Sequence, residues 1–157
     1  MKQEKTNVMR ILDSRKIEYT PHCYEDSDAI AGKDVAQVLG ENPEQVFKTL
    51  VTRAHSGNYY VFVVPVAKEL DLKKAAKSVN EKSIDMIKQK ELLPLTGYIH
   101  GGCSPIGMKK FFKTVIDETS KNFETIYISA GKVGYQVELK LQDLEKVIRI
   151  NTADITK

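Results

Sequence analysis

The sequence is poor in the residues that mark disulfide-bonded, metal-binding or membrane proteins. It has two cysteines, three histidines and no tryptophan among 157 residues. Cys23 and Cys103 are far apart in the chain and form no CxxC pair, so we expect free thiols in a reducing compartment. Every apolar run is shorter than the ~18 residues that a membrane span needs. The opening residues MKQEKTNVMR are charged and no apolar segment follows them, so we expect a cytoplasmic protein without a signal peptide.

Motifs of metal, nucleotide and nucleophilic chemistry are missing too. His22, His55 and His100 do not have the spacing of a metal site. The sequence contains no Walker A loop, no GxGxxG fingerprint, no Ser/His/Asp order and no paired carboxylates. Cys103 stands near His100, but a catalytic Cys–His pair must form in space, and most free cysteines are small buried hydrophobic residues. We therefore expect no metal and no cofactor, with a catalytic Cys103 as the less favoured alternative.

The composition suits one soluble domain over residues 1–157. Hydrophobic residues make up 41% of the chain and charged residues 29%. A chain of this length buries roughly 68–70% of its unfolded surface and folds without a disulfide or metal. The net charge of +3 and the pI near 8.7 are below the range of a dedicated DNA or RNA binder. Lysines cluster at positions 73–74, 77, 109–110 and 113, which we interpret as solvated surface, with phosphate contact as the alternative.

The hydrophobic pattern predicts helices and strands in mixed order. Helices are predicted over 6–16, 32–39, 72–80 and 141–148, with a helical turn over 88–93 that ends before Pro94. Strands are predicted over 17–24, 46–54, 59–67, 83–87, 114–118, 125–131 and 134–140, with residues 55–58 as a hairpin turn. Pro21 favours an edge position for the first strand. The order is not a regular βαβ repeat, so it indicates an α+β domain with a mixed or antiparallel sheet.

Two features indicate a ligand site. The segment 97–107 is rich in glycine, which lets a backbone approach a ligand and present N–H groups, although a structural turn is the commoner meaning of this composition. Lys48 lies inside an apolar strand and is predicted to share a face with Val46 and Leu50. A half-buried lysine needs a partner, which a ligand carboxyl, carbonyl or phosphate would supply. A lysine that snorkels at a sheet edge is an equally good interpretation.

Several longer stretches occur in a fixed order: VFKTLV around Lys48, VPVAKELDLKKAAK (64–77), TGYIHGGCSPIGMKK (96–110) and TIYISAGKVGYQVEL (125–139). Together with the first helix and the HCYED strand, they resemble the bacterial YbaK-type aminoacyl-tRNA deacylases. These enzymes are relatives of the editing domain inserted in bacterial prolyl-tRNA synthetases. The resemblance covers nearly the whole chain. It implies a compact α+β fold in which helices flank a curved, barrel-like mixed sheet with a small central pocket.

The resemblance also implies an activity, namely hydrolysis of the ester that joins a mischarged amino acid to the 3′ end of a tRNA. Cys-tRNA(Pro) is the implied substrate, and prolyl-tRNA synthetase is a further implied partner. The family uses no metal and no obvious nucleophilic side chain. The thiol of the substrate is thought to attack its own carbonyl carbon, and such oriented intramolecular attack can supply ~7–11 kcal/mol.

Site residues can be assigned where they match the family motifs. Lys48 matches a lysine near the aminoacyl group or the terminal adenosine, and Gly101 matches a glycine whose backbone lines the pocket. Tyr24 matches a tyrosine of the pocket wall. We therefore assign Lys48 and Gly101 as catalytic and Gly102, Ser104 and Pro105 of the same loop as substrate-binding, with Ser104 and Pro105 also holding the shape of the loop.

Two positions depart from the cysteine-specific branch. That branch has an aspartate at the position of Gln136 and a phenylalanine near Ala31, whose bulk Ile30 could replace. Glutamine forms hydrogen bonds but lacks the negative charge that would help to position an α-ammonium group. Alanine or another small amino acid is therefore an alternative substrate. A module that binds aminoacyl-tRNA or a synthetase without hydrolysis is an alternative function.

Overall fold

The computed structural model describes residues 5–29 and 32–157, and within them five α-helices and eight β-strands form an α+β fold. The helices are α1 (Asn7–Ser14), α2 (Gly32–Leu39), α3 (Leu72–Ser78), α4 (Gln89–Thr96) and α5 (Leu141–Val147). The strands are β1 (Thr20–Cys23), β2 (Phe47–Ala54), β3 (Tyr59–Pro65), β4 (Ile84–Met86), β5 (Lys113–Asp117), β6 (Ile126–Ser129), β7 (Tyr135–Leu139) and β8 (Ile150–Ala153). The predicted α+β class is confirmed.

The strands form two sheets. The larger has the order β4-β2-β3-β5-β8 and is mixed, because β5 runs parallel to both β3 and β8. The smaller is antiparallel with the order β1-β7-β6, so Pro21 lies in an edge strand as predicted. Between the sheets, Val46 and Tyr127 form a parallel bridge, and the Tyr127 N–H donates to the Gln45 carbonyl at 3.2 Å. The expected single, barrel-like sheet is not found, since neither sheet closes on itself.

Local sequence signals explain most of the elements. Residues 55–58 join β2 to β3, and Gly57 adopts the positive φ of 93° that the tight turn requires. Asp71 caps α3 by accepting hydrogen bonds from the Lys73 and Lys74 N–H groups at 3.0 and 3.1 Å. The predicted hairpin turn is confirmed.

One prediction about the elements was wrong, and one strand was missed. Helix α4 continues through Pro94 to Thr96. Proline removes one helical hydrogen bond, but the last turn is held by the Thr96 hydroxyl, which donates to the Leu92 carbonyl at 2.7 Å, and by the Gly97 N–H, which donates to the Leu93 carbonyl at 2.9 Å. Strand β8 was not predicted, because its short sequence INTA lacks a clear apolar pattern and it forms by pairing with β5.

The larger sheet has hydrophobic core on both faces. On one face, Val61 and Val63 of β3 pack with Ile106, helix α1 and the apolar face of the smaller sheet. On the other face, Phe62 and Val64 pack with helix α3. Strand β3 is therefore buried on both sides, as its continuous apolar run predicts. The ends of β2, β6 and β7 that meet at the junction of the two sheets are left to line a cavity.

Candidate active site

A cavity of about 410 Å³ opens where the two sheets meet the Gly-rich segment. Its size is in the range of small-molecule binding sites. Of the residues assigned from the sequence, the structure brings Tyr24, Lys48, Gly101 and Gln136 to its wall. Three others, Gly102, Ser104 and Pro105, are buried in the loop behind it. Ile30 and Ala31 lie outside the described residues.

Lys48 enters the cavity from strand β2. It pairs with Val64 of β3 and is half-buried. Burial lowers the pKa of the Lys48 amine, with a smaller opposing effect from Glu69 and a further lowering from Lys33. Within residues 5–29 and 32–157, the Lys48 amine makes no ion pair and no hydrogen bond. It is thus a cation in a partly apolar wall that a ligand oxygen would satisfy.

The Gly-rich segment forms the opposite kind of wall, made of backbone. Gly101 adopts a φ of 87°, a conformation that side-chain-bearing residues rarely take. Tyr98 holds the segment in a closed turn by donating its hydroxyl to the Ile106 carbonyl. In the described part of the chain, the N–H groups of Gly101 and Cys103 donate to no protein acceptor. Two free N–H donors beside a cavity suit a ligand carbonyl or oxyanion.

The supporting glycine and serine act inside the loop. A Cβ atom on Gly102 would lie 3.1 Å from the backbone nitrogen of Val133, which is closer than ordinary van der Waals contact. The hydroxyl of Ser104, which is 0% exposed, accepts a hydrogen bond from the Ile106 N–H at 3.3 Å. Gly102 and Ser104 therefore constrain the path of the loop, while the roles assigned to Gly102, Ser104 and Pro105 stay predictions.

Gln136 lines the cavity and contacts the carboxylate of Glu41. Gln136 is 3% exposed, and its Nε2 donates to Glu41 Oε1 at 2.9 Å. Because an ionised carboxylate only accepts hydrogen bonds, this contact leaves the Gln136 carbonyl oxygen free. Gln136 Oε1 and Glu41 Oε2 are both buried without a partner among the described residues. Burial raises the pKa of Glu41, and the hydrogen bond from Gln136 opposes this effect.

Comparison with known proteins places this site in a family. The model of the aminoacyl-tRNA editing domain matches residues 27–147. The chain belongs to that family. The sequence resemblance is thereby confirmed, and Lys48, Gly101 and Gln136 all lie within the matched range of the editing domain.

Individual relatives agree with the family assignment. The editing domain is 41% identical over 155 residues to EbsC of Enterococcus faecalis, provisionally named a Cys-tRNA(Pro)/Cys-tRNA(Cys) deacylase, and the match covers 98% of this chain and 94% of the relative. It is 28% identical over 103 residues to a proline–tRNA ligase of Kosmotoga olearia, covering 66% of this chain and 18% of the ligase. A crystal structure provisionally described as a trans-editing enzyme for prolyl-tRNA synthetase has a TM-score of 0.81 at 23% identity, covering 96% of this chain and 94% of that one.

One cavity residue of the editing domain, Thr49, and one residue in contact with the cavity wall, Glu41, were not assigned from the sequence. Thr49 lines the cavity, and its hydroxyl is buried without a partner among the described residues. Glu41, two residues after α2, contacts Gln136 from a position 95 residues away. Thr49 lies inside the VFKTLV stretch next to Lys48, whereas Glu41 lies in none of the stretches that carry the resemblance. A search for polar residues next to strand β2 could have found Thr49, whereas only the fold reveals Glu41.

The thiol alternative loses support in the editing domain. Cys103 lines the cavity, but burial raises the pKa of its thiol to about 12. A thiol with that pKa is protonated at neutral pH and is a weak nucleophile.

Within residues 5–29 and 32–157, no group of three His, Cys, Asp or Glu residues is placed to hold a metal ion. In the same residues, no helix has the length and hydropathy to cross a bilayer.

Proposed function

We propose that this protein is a free-standing deacylase that hydrolyses the ester bond of a mischarged tRNA. The observation that carries the proposal is found in one cavity: the Lys48 amine on one wall and backbone N–H donors of the Gly101 segment on another, none of which has a hydrogen-bond partner among the described residues. An aminoacyl ester has a carbonyl oxygen for the donors and ribose and phosphate oxygens for the amine. Membership of the editing-domain family supports this substrate class.

Catalysis follows from positioning. The N–H groups of Gly101 and Cys103 receive the ester carbonyl oxygen and stabilise the negative charge that grows on it, an effect worth ~10²–10³ in rate for one such donor. Lys48 binds the 3′-terminal nucleotide or the ester oxygen. With a cysteinyl ester, the substrate sulfur attacks the carbonyl carbon, the bond to the ribose oxygen breaks and that oxygen takes the thiol proton. Water then opens the resulting thiolactone to free cysteine.

The amino group of the substrate is bound at Gln136. The free carbonyl oxygen of Gln136 accepts from the α-ammonium group, and Glu41 behind it supplies the negative charge that glutamine lacks. Although this chain has Gln136 where the cysteine-specific branch has aspartate, Glu41 still supplies an acidic group near the site.

Cys-tRNA(Pro) is the substrate we propose, in the cytoplasm, with prolyl-tRNA synthetase as the enzyme whose errors are corrected. The provisional name of the Enterococcus relative and the match to proline–tRNA ligases support this choice. Metal-free chemistry is part of the proposal and rests on the thiol of the substrate. A substrate without a thiol, such as an alanyl ester, would need a water molecule placed by the tRNA hydroxyl or by the loop backbone.

The test is hydrolysis of tRNA(Pro) charged with cysteine, alanine or serine by the wild type, Lys48→Ala and a control. Lys73→Ala is a matched control, since Lys73 is an exposed lysine that does not line the cavity. We expect fast release of cysteine that Lys48→Ala lowers by at least ~100-fold and Lys73→Ala leaves unchanged. Tight binding of charged tRNA without release of any amino acid would overturn the proposal and favour the binding module.

A further inference from the structure

A second concave surface shares the Gly-rich loop with the candidate active site. This basic groove has a volume of about 620 Å³ and is defined by Lys109, Lys110, Phe111 and Arg149. Its described lining holds three cations and no acidic residue. Since none of these cations forms an ion pair with a described side chain, their charge is available to an anionic partner. By contrast, Lys74 and Lys146 pair with aspartates.

Phe111 is an exposed aromatic ring within this positive surface. It is 74% exposed, the highest value among the large hydrophobic residues described. The next residue, Phe112, packs against the core, with its ring centroid 6.2 Å from that of Tyr59. Phe112 thus fixes the segment while Phe111 faces solvent. An exposed ring between cations is the combination that binds single-stranded nucleic acid, by base stacking and phosphate contact.

The groove and the cavity are close along the chain. Cys103 lines the cavity and Pro105 lines the groove. Two residue steps separate their Cα atoms by at most ~7 Å. One loop therefore contributes to both surfaces, so a ligand that leaves the cavity over this loop would come close to the groove.

We propose that the basic groove binds the unpaired 3′ end of the tRNA substrate, with phosphates on Lys109, Lys110 and Arg149 and one base stacked on Phe111. The proposal rests on the proposed function in that it takes a tRNA as the ligand. Stacking explains the exposed ring, which an acidic protein partner would not require. It also explains how a chain with a net charge of only +3 holds an RNA, because the charge is concentrated where the RNA leaves the active site.

The experiment compares a full substrate with a minimal one. Phe111→Ala and the double variant Lys109→Ala/Lys110→Ala are assayed on cysteinyl-tRNA and on the cysteinyl ester of adenosine. The matched control is Lys73→Ala/Lys77→Ala on α3. For cysteinyl-tRNA, we expect Phe111→Ala to raise KM ~10-fold with kcat unchanged, and Phe111→Tyr to restore it, since stacking on one ring contributes about that factor or more. For the adenosine ester, no variant should change either constant.

Salt dependence tests the two lysines separately. The slope of log KM against log salt for cysteinyl-tRNA should fall by ~1.4 in the double variant, because each lysine that binds a phosphate of a single strand adds about 0.7 to it. An equal loss of activity on both substrates would show a structural role and overturn the proposal, as would unchanged constants on both. Equal effects of the α3 control would also overturn it.

Direct binding separates this proposal from the proposed function. Wild type and variants are titrated with uncharged tRNA and with a short single-stranded RNA or a blunt RNA duplex of equal length. Weaker binding of tRNA and of the single strand by Phe111→Ala supports the groove even if no ester is hydrolysed. Equal binding of the single strand and the duplex by the wild type would refute base stacking.

Discussion

Replacing Glu41 by glutamine tests how the site recognises an amino group. The substitution keeps the size of the side chain and leaves an acceptor for Gln136 Nε2, but removes the negative charge behind the cavity. If Gln136 relays this charge to an α-ammonium group, the variant should bind and position aminoacyl esters less well. The expected effect is a fall in kcat/KM for substrates with a free amino group.

The structure sets the size of the effect. Glu41 Oε1 lies 2.9 Å from Gln136 Nε2. The two polar atoms of an amide are ~2.2 Å apart, and a further hydrogen bond of ~2.9 Å reaches the ammonium nitrogen, so the two charges are separated by up to about 8 Å. At an effective dielectric constant of ~20, their attraction is roughly 2 kcal/mol. We therefore expect Glu41→Gln to lower kcat/KM about 30-fold.

The assay compares cysteinyl-tRNA with N-acetylcysteinyl-tRNA, which has no ammonium group. Glu41→Gln should slow the first and leave the second unchanged, while Glu44→Gln, at an exposed position nearby, should change neither. Burial raises the pKa of Glu41 above its ordinary 4.5. Wild-type Glu41 therefore loses its charge as the pH falls toward that raised pKa, and the advantage of the wild type should shrink with it. An equal fall for both substrates would refute the relay and make Glu41 a structural residue.

Three further substitutions have separable effects on activity and stability. Lys48→Met should abolish deacylation yet raise Tm at pH 7 in calorimetry. Burial lowers the pKa of Lys48, so at neutral pH the folded state carries the cost of a desolvated charge that methionine removes. An unchanged or lower Tm would contradict this reasoning. Cys103→Ala should change kcat less than ~3-fold because the thiol is protonated, whereas a loss above ~100-fold would identify a nucleophile. Gly101→Ala should lower Tm by ~2–8 °C through roughly 1–2 kcal/mol of strain at a φ of 87°, and an unchanged Tm would show that the loop relaxes.

Local chemistry made much of the fold predictable. The turn at residues 55–58, the Asp71 cap and the buried run of β3 each follow from residues close in sequence. Strand β8 and the division into two sheets could not be predicted in this way, because they depend on pairing between distant segments. Pro94 shows the opposite error, a breaker whose missing hydrogen bond the fold tolerates at an exposed helix end.

The candidate site divides along the same line. Lys48 is unusual in its own strand and the glycines of 97–107 are unusual in composition, so the sequence marks both. Glu41 is an ordinary surface-type residue, and its contact with Gln136 exists only because the fold brings β7 next to the end of α2. Thr49 likewise looks like any strand threonine, and only the structure shows that its hydroxyl is buried at the cavity without a partner among the described residues.

The candidate active site lies at the junction of two β-sheets, which the bridge between Val46 and Tyr127 connects. Lys48 belongs to the larger sheet and Gln136 to the smaller, so a bound aminoacyl group would contact both sheets. A ligand that binds only when the two sheets are in contact stabilises that contact by RT ln(1 + [L]/Kd). The Tyr127 N–H, which donates to the Gln45 carbonyl across the junction, should therefore exchange its hydrogen more slowly in the presence of substrate. Its exchange rate would then report the fraction of protein with substrate bound.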